Sequence, residues 1–134
     1  MKLFLDANIL FTAAHNPRGK ATFVLELAGK GYWEVATSSF AIEEARRNIA
    51  AKFPDALDEL DRLLGNVEVV PTSLDQPCPI DLPEKDVPIF LSAVDARCTH
   101  LLTGDLRDFG PFMNAPDLTS GILVQTVGEF LSEL

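Results

Sequence analysis

Lys2-Leu3-Phe4-Leu5-Asp6-Ala7-Asn8 places a short apolar run directly before a carboxylate. Residues 2–5 do not alternate between apolar and polar. A strand of that kind is covered on both faces, as in the interior of a parallel sheet. Residues 32–37, 67–70, 100–103 and 122–125 also read as strands. Between them the periodicity changes to that of helices. Residues 20–30 carry Phe23, Val24, Leu27 and Ala28 at helical spacing and stop at Gly29 and Gly31. Ser38 or Ser39 can cap a helix to about residue 52. Pro54 starts another, with Leu57, Leu60, Leu63 and Leu64 on one stripe before Gly65. Further helices are predicted over 84–98 and 126–134, and residues 71–83, with four prolines, read as a loop. Strands alternating with helices predict an α/β fold with a central parallel sheet of about five strands and helices on both faces.

The chain has 134 residues, of which 47% are hydrophobic. That suits one domain, residues 1–134, with a real core. No apolar run approaches the roughly 18 residues of a membrane span, so no membrane association is expected. Residues 1–5 meet Asp6 too soon for a signal peptide. Cys78 and Cys98 are too few for a disulfide framework or a zinc cluster, and a reduced, cytoplasmic protein is the simplest expectation. The net charge is −9, with 20 acidic residues against 11 basic. Nucleic-acid binders usually show a basic footprint. Either this chain does not touch nucleic acid, or its carboxylates do work that needs a cation.

The positions of those carboxylates favour the second choice. In open parallel sheets, ligands bind at the carboxyl ends of strands. Asp6 follows the first strand and Asp105 the fourth, in Leu101-Leu102-Thr103-Gly104-Asp105. Either one alone reads as a turn or cap residue; the two together on one rim point to a site. Asp86 lies in line with Phe90 and Ala93, on the apolar stripe of its helix. A carboxylate there is costly unless it is paired, hydrogen-bonded or bound to a metal, although a helix-start acid satisfied by backbone N–H groups is an ordinary alternative. Glu43 and Glu44 can pair with Arg46 and Arg47 at helical spacing, and the stripe Ile42, Ala45, Ile49 does not decide which glutamate faces the sheet. Asp108 is equally a member of the cluster or a turn acid.

Several carboxylates on one rim do not all ionise without a cation. An all-oxygen set suits Mg²⁺, with Mn²⁺ as a substitute, rather than zinc. His15 and His100 are isolated. Acid-held Mg²⁺ is a common device for phosphodiester cleavage. Neither a P-loop nor a defensible Ser-His-Asp set is present.

The order of motifs resembles the PIN domains, small α/β nucleases with an acidic, Mg²⁺-dependent site. Within them it is most similar to the VapC-like group, the toxins of prokaryotic toxin–antitoxin pairs. The matching segments are Leu5-Asp6-Ala7-Asn8-Ile9-Leu10, Asn16-Pro17-Arg18-Gly19, Thr37-Ser38-Ser39 leading into Ile42-Glu43-Glu44-Ala45-Arg46-Arg47-Asn48, and Asp86-Val87-Pro88-Ile89 running to Leu101-Leu102-Thr103-Gly104-Asp105-Leu106-Arg107-Asp108-Phe109. The resemblance implies a three-layer α/β/α sandwich and a metal-dependent endoribonuclease. It maps the family's acids onto Asp6, Glu44, Asp86 and Asp105, and so selects Glu44 over Glu43. Asp108 matches an additional acid of many members. Asp6, Asp86, Asp105 and Asp108 would hold the metal, and Glu44 would be a ligand or help deprotonate water. Asn8 and Thr103 match polar positions that orient the first and fourth acids, though many members carry Thr or Ser in place of Asn8. The implied partners are an RNA substrate, a cognate antitoxin and a second copy of the chain, as a homodimer or higher oligomer. Arg46, Arg47, Arg18 and Arg107, with Lys20, are candidates for RNA phosphates; Arg46 and Arg47 have the ordinary alternative of pairing with the glutamates.

Two other functions remain open on sequence. A phosphatase of the haloacid-dehalogenase type would use Asp6 as nucleophile, but Asn8 stands where that chemistry usually wants an acid. A catalytically silent PIN-like binding module would keep the fold without the metal site.

Overall fold

Leu3, Phe4 and Leu5 are completely buried. Successive side chains of a strand point to opposite faces, so β1 (Lys2–Leu5) is covered from both sides. The computed structural model describes residues 1–74 and 76–134. In it β1 is the middle of five parallel strands, with β2 (Glu34–Ser38), β3 (Glu68–Val70), β4 (His100–Leu102) and β5 (Leu123–Gln125), in spatial order β3-β2-β1-β4-β5. One row across the sheet reads Glu68, Ala36, Phe4, Leu101, Val124.

The helices are α1 (Ala7–His15), α2 (Lys20–Gly29), α3 (Ser39–Lys52), α4 (Leu57–Leu64), α5 (Val87–Asp95) and α6 (Val127–Ser132). The chain steps from β1 to β2 to β3 in one direction, then crosses to β4 and β5 on the other side. Right-handed connections therefore put α1–α4 on one face of the sheet and α5 on the other. In agreement, α1 packs against α2, α3 and α4, while α5 packs against β2 and β4. The last helix, α6, returns against α2 and β5. Trp33 ties this side together: its indole N–H donates to the Val24 carbonyl at 3.0 Å and its ring meets Phe130 edge-on at 5.1 Å. The three-layer arrangement expected from the sequence is thus the one observed.

Local chemistry explains the element ends. The Ser38 hydroxyl accepts from the Ala41 N–H at 3.2 Å and caps α3. Thr126 and Glu129 form a reciprocal capping box at the start of α6. A 3₁₀ turn at Pro54–Ala56 leads into α4, whose Leu60 and Leu63 are buried. Two elements depart from the sequence expectation. The stretch 7–15, to which the sequence expectation assigns no element, forms α1. The fifth helix begins at Val87 rather than residue 84, because residues 84–86 make a turn that places Asp86 at its N-cap. The proline-rich segment is irregular at its described positions, and Asp75, part of that expected loop, lies outside the described residues. Among the described residues no helix is long and apolar enough to cross a membrane.

The sheet order has one functional consequence. The connections leaving β1 and β4 diverge to opposite faces, which opens a crevice between the carboxyl ends of these two strands. Open α/β sheets bind ligands at that switch point.

Candidate active site

Asp6 sits at the end of β1 and at the N-cap of α1, and is almost fully buried. Every part of its carboxylate is held. Oδ1 accepts from the Ala7 N–H at 2.7 Å, and Oδ2 accepts from the Thr103 hydroxyl at 2.8 Å and from the Asn8 amide at 3.1 Å. Burial pushes the Asp6 carboxyl above its ordinary range, these hydrogen bonds oppose the rise, and the nearby charge of Glu44 adds to it.

Thr103 joins the two strand ends. It gives its single proton to Asp6, so its oxygen is free to accept from the Asp105 N–H at 3.0 Å and from Asn8 Nδ2 at 3.4 Å. Asn8 closes the circuit, its Oδ1 accepting from the Gly104 N–H at 2.7 Å. A Cβ on Gly104 would stand 3.3 Å from that oxygen, so the backbone approach is close enough to favour glycine. Asp105 in turn accepts from the Asp108 N–H at 3.1 Å, which folds the turn after β4.

The second group of acids is tighter. Asp86, Asp105 and Asp108 each offer a carboxylate oxygen, and the three oxygens lie within 4.8 Å of one another. Asp86 is 6% exposed, and its Oδ2 is buried without a hydrogen-bond partner. Burial and the adjoining Asp108 carboxylate raise its pKa to about 7. Asp108 is lowered, by the contact with Asp86 first and then by Asp105 and Lys85. The two shifts run in opposite directions, so below about pH 7 the proton favours Asp86 over Asp108. Lys85 lies 3.5 Å from Asp108 and is itself raised by Asp86 and its neighbours.

Asp6, Glu44, Asp86 and Asp105 line one cleft of about 550 Å³, together with Asn8, Phe11, Asn48, Lys52 and Lys85. Glu44, Asn48 and Lys52 form a ridge along α3, because residues four apart share a face. Glu43 is exposed instead and faces Arg47 at 3.9 Å. Thus four sequence-selected acids share the cleft, Asp108 adjoins two of them, and Asn8 and Thr103 contact Asp6. Arg46 turns away to Asp61 at 2.9 Å. None of Arg18, Arg46, Arg47 and Arg107 lines the cleft. The cations that do are Lys52 and Lys85, which the sequence reading does not pick out. For Lys52 the available signal is the spacing Glu44, Asn48, Lys52; for Lys85 it is direct adjacency to Asp86.

The donor set fits a hard divalent cation. It is all oxygen, converges within a few ångströms, and includes a buried oxygen with no partner. Such a cation would also offset the burial and the neighbouring carboxylates that raise the Asp86 pKa.

No family model matches the sequence, and no curated protein does. Solved structures do. The chain is similar to one in the structure of VapBC2 from Rickettsia felis bound to a DNA fragment from their promoter, at 18% identity and a TM-score of 0.68, over 94% of this chain and 98% of that one. It is similar to one in DNA-bound VapBC from Salmonella typhimurium, at 14% identity and a TM-score of 0.64, over 95% and 98%. It is also similar to one in FitAcB from Neisseria gonorrhoeae, at 16% identity and a TM-score of 0.60, over 94% and 98%. At such identities the likeness is one of fold, and at that level it bears out the resemblance drawn from the motifs: this chain has a PIN-type fold of the VapC kind.

Proposed function

We propose that this protein is a metal-dependent endoribonuclease and the toxin of a prokaryotic toxin–antitoxin pair. The observation that carries the reading is the meeting of Asp6, Glu44, Asp86 and Asp105 in one cleft at the switch point of the sheet, with a buried Asp86 oxygen left unpaired. Asp86, Asp105 and Asp108 would hold Mg²⁺, or Mn²⁺ in its place, with Asp6 completing the site. When bound, the ion would supply positive charge for the phosphate and activate a water. Glu44, half-buried on α3, would accept a proton from that water. Asp6 has its orientation locked by Thr103, Asn8 and the Ala7 N–H, so it keeps its place at the edge of the metal site without reorganising. Lys52 and Lys85 give the RNA phosphates their nearest positive partners. Arg18 and Arg107 are more remote candidates, while Arg46 and Arg47 face Asp61 and Glu43 instead. The partner would be an antitoxin, as the VapBC complexes of like fold suggest, with a second copy of the chain. The two free cysteines suit a cytoplasmic location.

The phosphatase alternative fares worse. A nucleophilic Asp6 needs an accessible oxygen, whereas this one is 4% exposed with both oxygens hydrogen-bonded.

The test is cleavage of single-stranded RNA by the wild type and Asp6→Asn in Mg²⁺, Mn²⁺ and EDTA. Cleavage by the wild type in either metal, and none by Asp6→Asn or in EDTA, is the expected result. Activity that survived both the substitution and the chelator would overturn the mechanism.

A further inference from the structure

The acids use only one end of the cleft. At the other end, Phe11 and His15 on α1 meet Phe53, the residue that ends α3. Ring centroids are 4.7 Å apart for Phe11 and His15, 5.8 Å for Phe11 and Phe53, and 4.5 Å for His15 and Phe53. The last two rings are nearly parallel, at 18°. Lys52 Nζ lies 5.7 Å from the Phe11 centroid. Phe53 is 45% exposed although His15 stacks on it.

This cluster is continuous with the acidic cleft. Phe11 and Lys52 line the cleft itself. Lys52, His15 and Phe53, with Pro17 and Pro54, line an adjoining cavity of about 480 Å³ that Asp55 and Glu59 also line, the latter paired with Arg62. On α1, His15 follows Asp6 by nine residues, and Phe53 at the end of α3 follows Glu44 by nine. At 1.5 Å per residue these two rings stand roughly 13 Å along from the acids. A strand that leaves the acids reaches them within a few nucleotides.

The occupant of such a place needs a flat face for the rings and negative charge for the lysine. It must also reach the acids. An apolar protein segment would cover the rings but has no use for Lys52. An unpaired nucleobase meets all three demands, because any base stacks on an aromatic ring and its strand carries the phosphates. A base inside a duplex does not, since both its faces are already stacked.

We propose that Phe53, backed by His15 and Phe11, is a stacking platform for one unpaired nucleobase of the substrate, with Lys52 on the intervening phosphate. This rests on the nuclease reading above and adds to it a subsite for one base and the residues that form it.

The test uses short single-stranded RNAs carrying 2-aminopurine, or an abasic site, at each position in turn. They are titrated in Mg²⁺ against the wild type, Phe53→Leu and Phe53→Tyr. One position a few nucleotides from the cleaved bond should show stacking quench with the wild type and with Phe53→Tyr, and none with Phe53→Leu. Affinity should fall roughly 5- to 150-fold in Phe53→Leu, the worth of one base–aromatic stack. An abasic site at that position should weaken binding to the wild type as much, a measurement that does not depend on any variant folding. A duplex of the same sequence should bind without quench. If the wild type binds and cleaves the strand but no position is quenched and the abasic series is flat, the platform is wrong while the nuclease reading stands, and the rings belong to an apolar protein segment. If the wild type neither binds nor cleaves it, the nuclease reading fails and takes the platform with it.

Discussion

A carboxyl whose Oδ2 is buried without a partner, as in Asp86, ionises only at a cost. Its pKa of about 7 in the folded chain stands well above the ordinary 3.9 of an unfolded aspartate. Between about pH 4 and pH 7 the folded protein therefore holds a proton that the unfolded chain has released. Stability without metal should fall as pH rises through that window. A divalent cation can bind only after the proton leaves, so its stabilising effect should grow over the same range. Thermal melting checks both statements. Mg²⁺ should raise the melting temperature more at pH 8 than at pH 5, and Asp86→Asn should flatten the metal-free pH dependence and abolish the Mg²⁺ shift. The substitution leaves an amide where a charge was costly, so at pH 8 the metal-free variant should melt above the metal-free wild type.

Elements show how far the sequence can be read. Buried strands announce themselves, and the parallel sheet follows from Leu3-Phe4-Leu5 and its counterparts. The first helix is harder to see. Its buried positions Ile9, Leu10, Ala13 and Ala14 do have helical spacing and Asp6 is a possible cap, but nine residues are too few for that spacing to stand out. Acids at strand ends are legible because topology alone carries them to one rim. Which side chains line the cleft between two helices is not, since that depends on how α1 and α3 pack. Hence the arginines draw attention in the sequence, while the ridge of α3 presents Lys52. The contrast is measurable in the salt dependence of RNA binding. Removing one cation that pairs with a phosphate should make the slope of log K against log salt shallower by about 0.7 for a single strand. Lys52→Gln should show that change. Arg47→Gln should not, because Arg47 faces Glu43 on the exposed side of the helix.

The whole molecule carries a charge of −9, which by itself repels RNA. Five of its 20 acids, Asp6, Glu44, Asp86, Asp105 and Asp108, gather at the cleft where the substrate would lie. Among the described residues, two lysines line that cleft to offset them. For a basic RNA-binding protein, added Mg²⁺ competes for the phosphates and weakens the complex. Here the opposing term is larger at first, because the same ion neutralises the acids that face the strand. The sign of the effect should therefore invert. At constant ionic strength, raising Mg²⁺ from EDTA conditions should strengthen binding of a non-cleavable single-stranded RNA until the acidic site fills, and only then weaken it. Asp105→Asn together with Asp108→Asn should lose the rising limb and keep the falling one. A wild type that binds RNA as tightly in EDTA as in Mg²⁺ would mean that the strand does not pass over these acids.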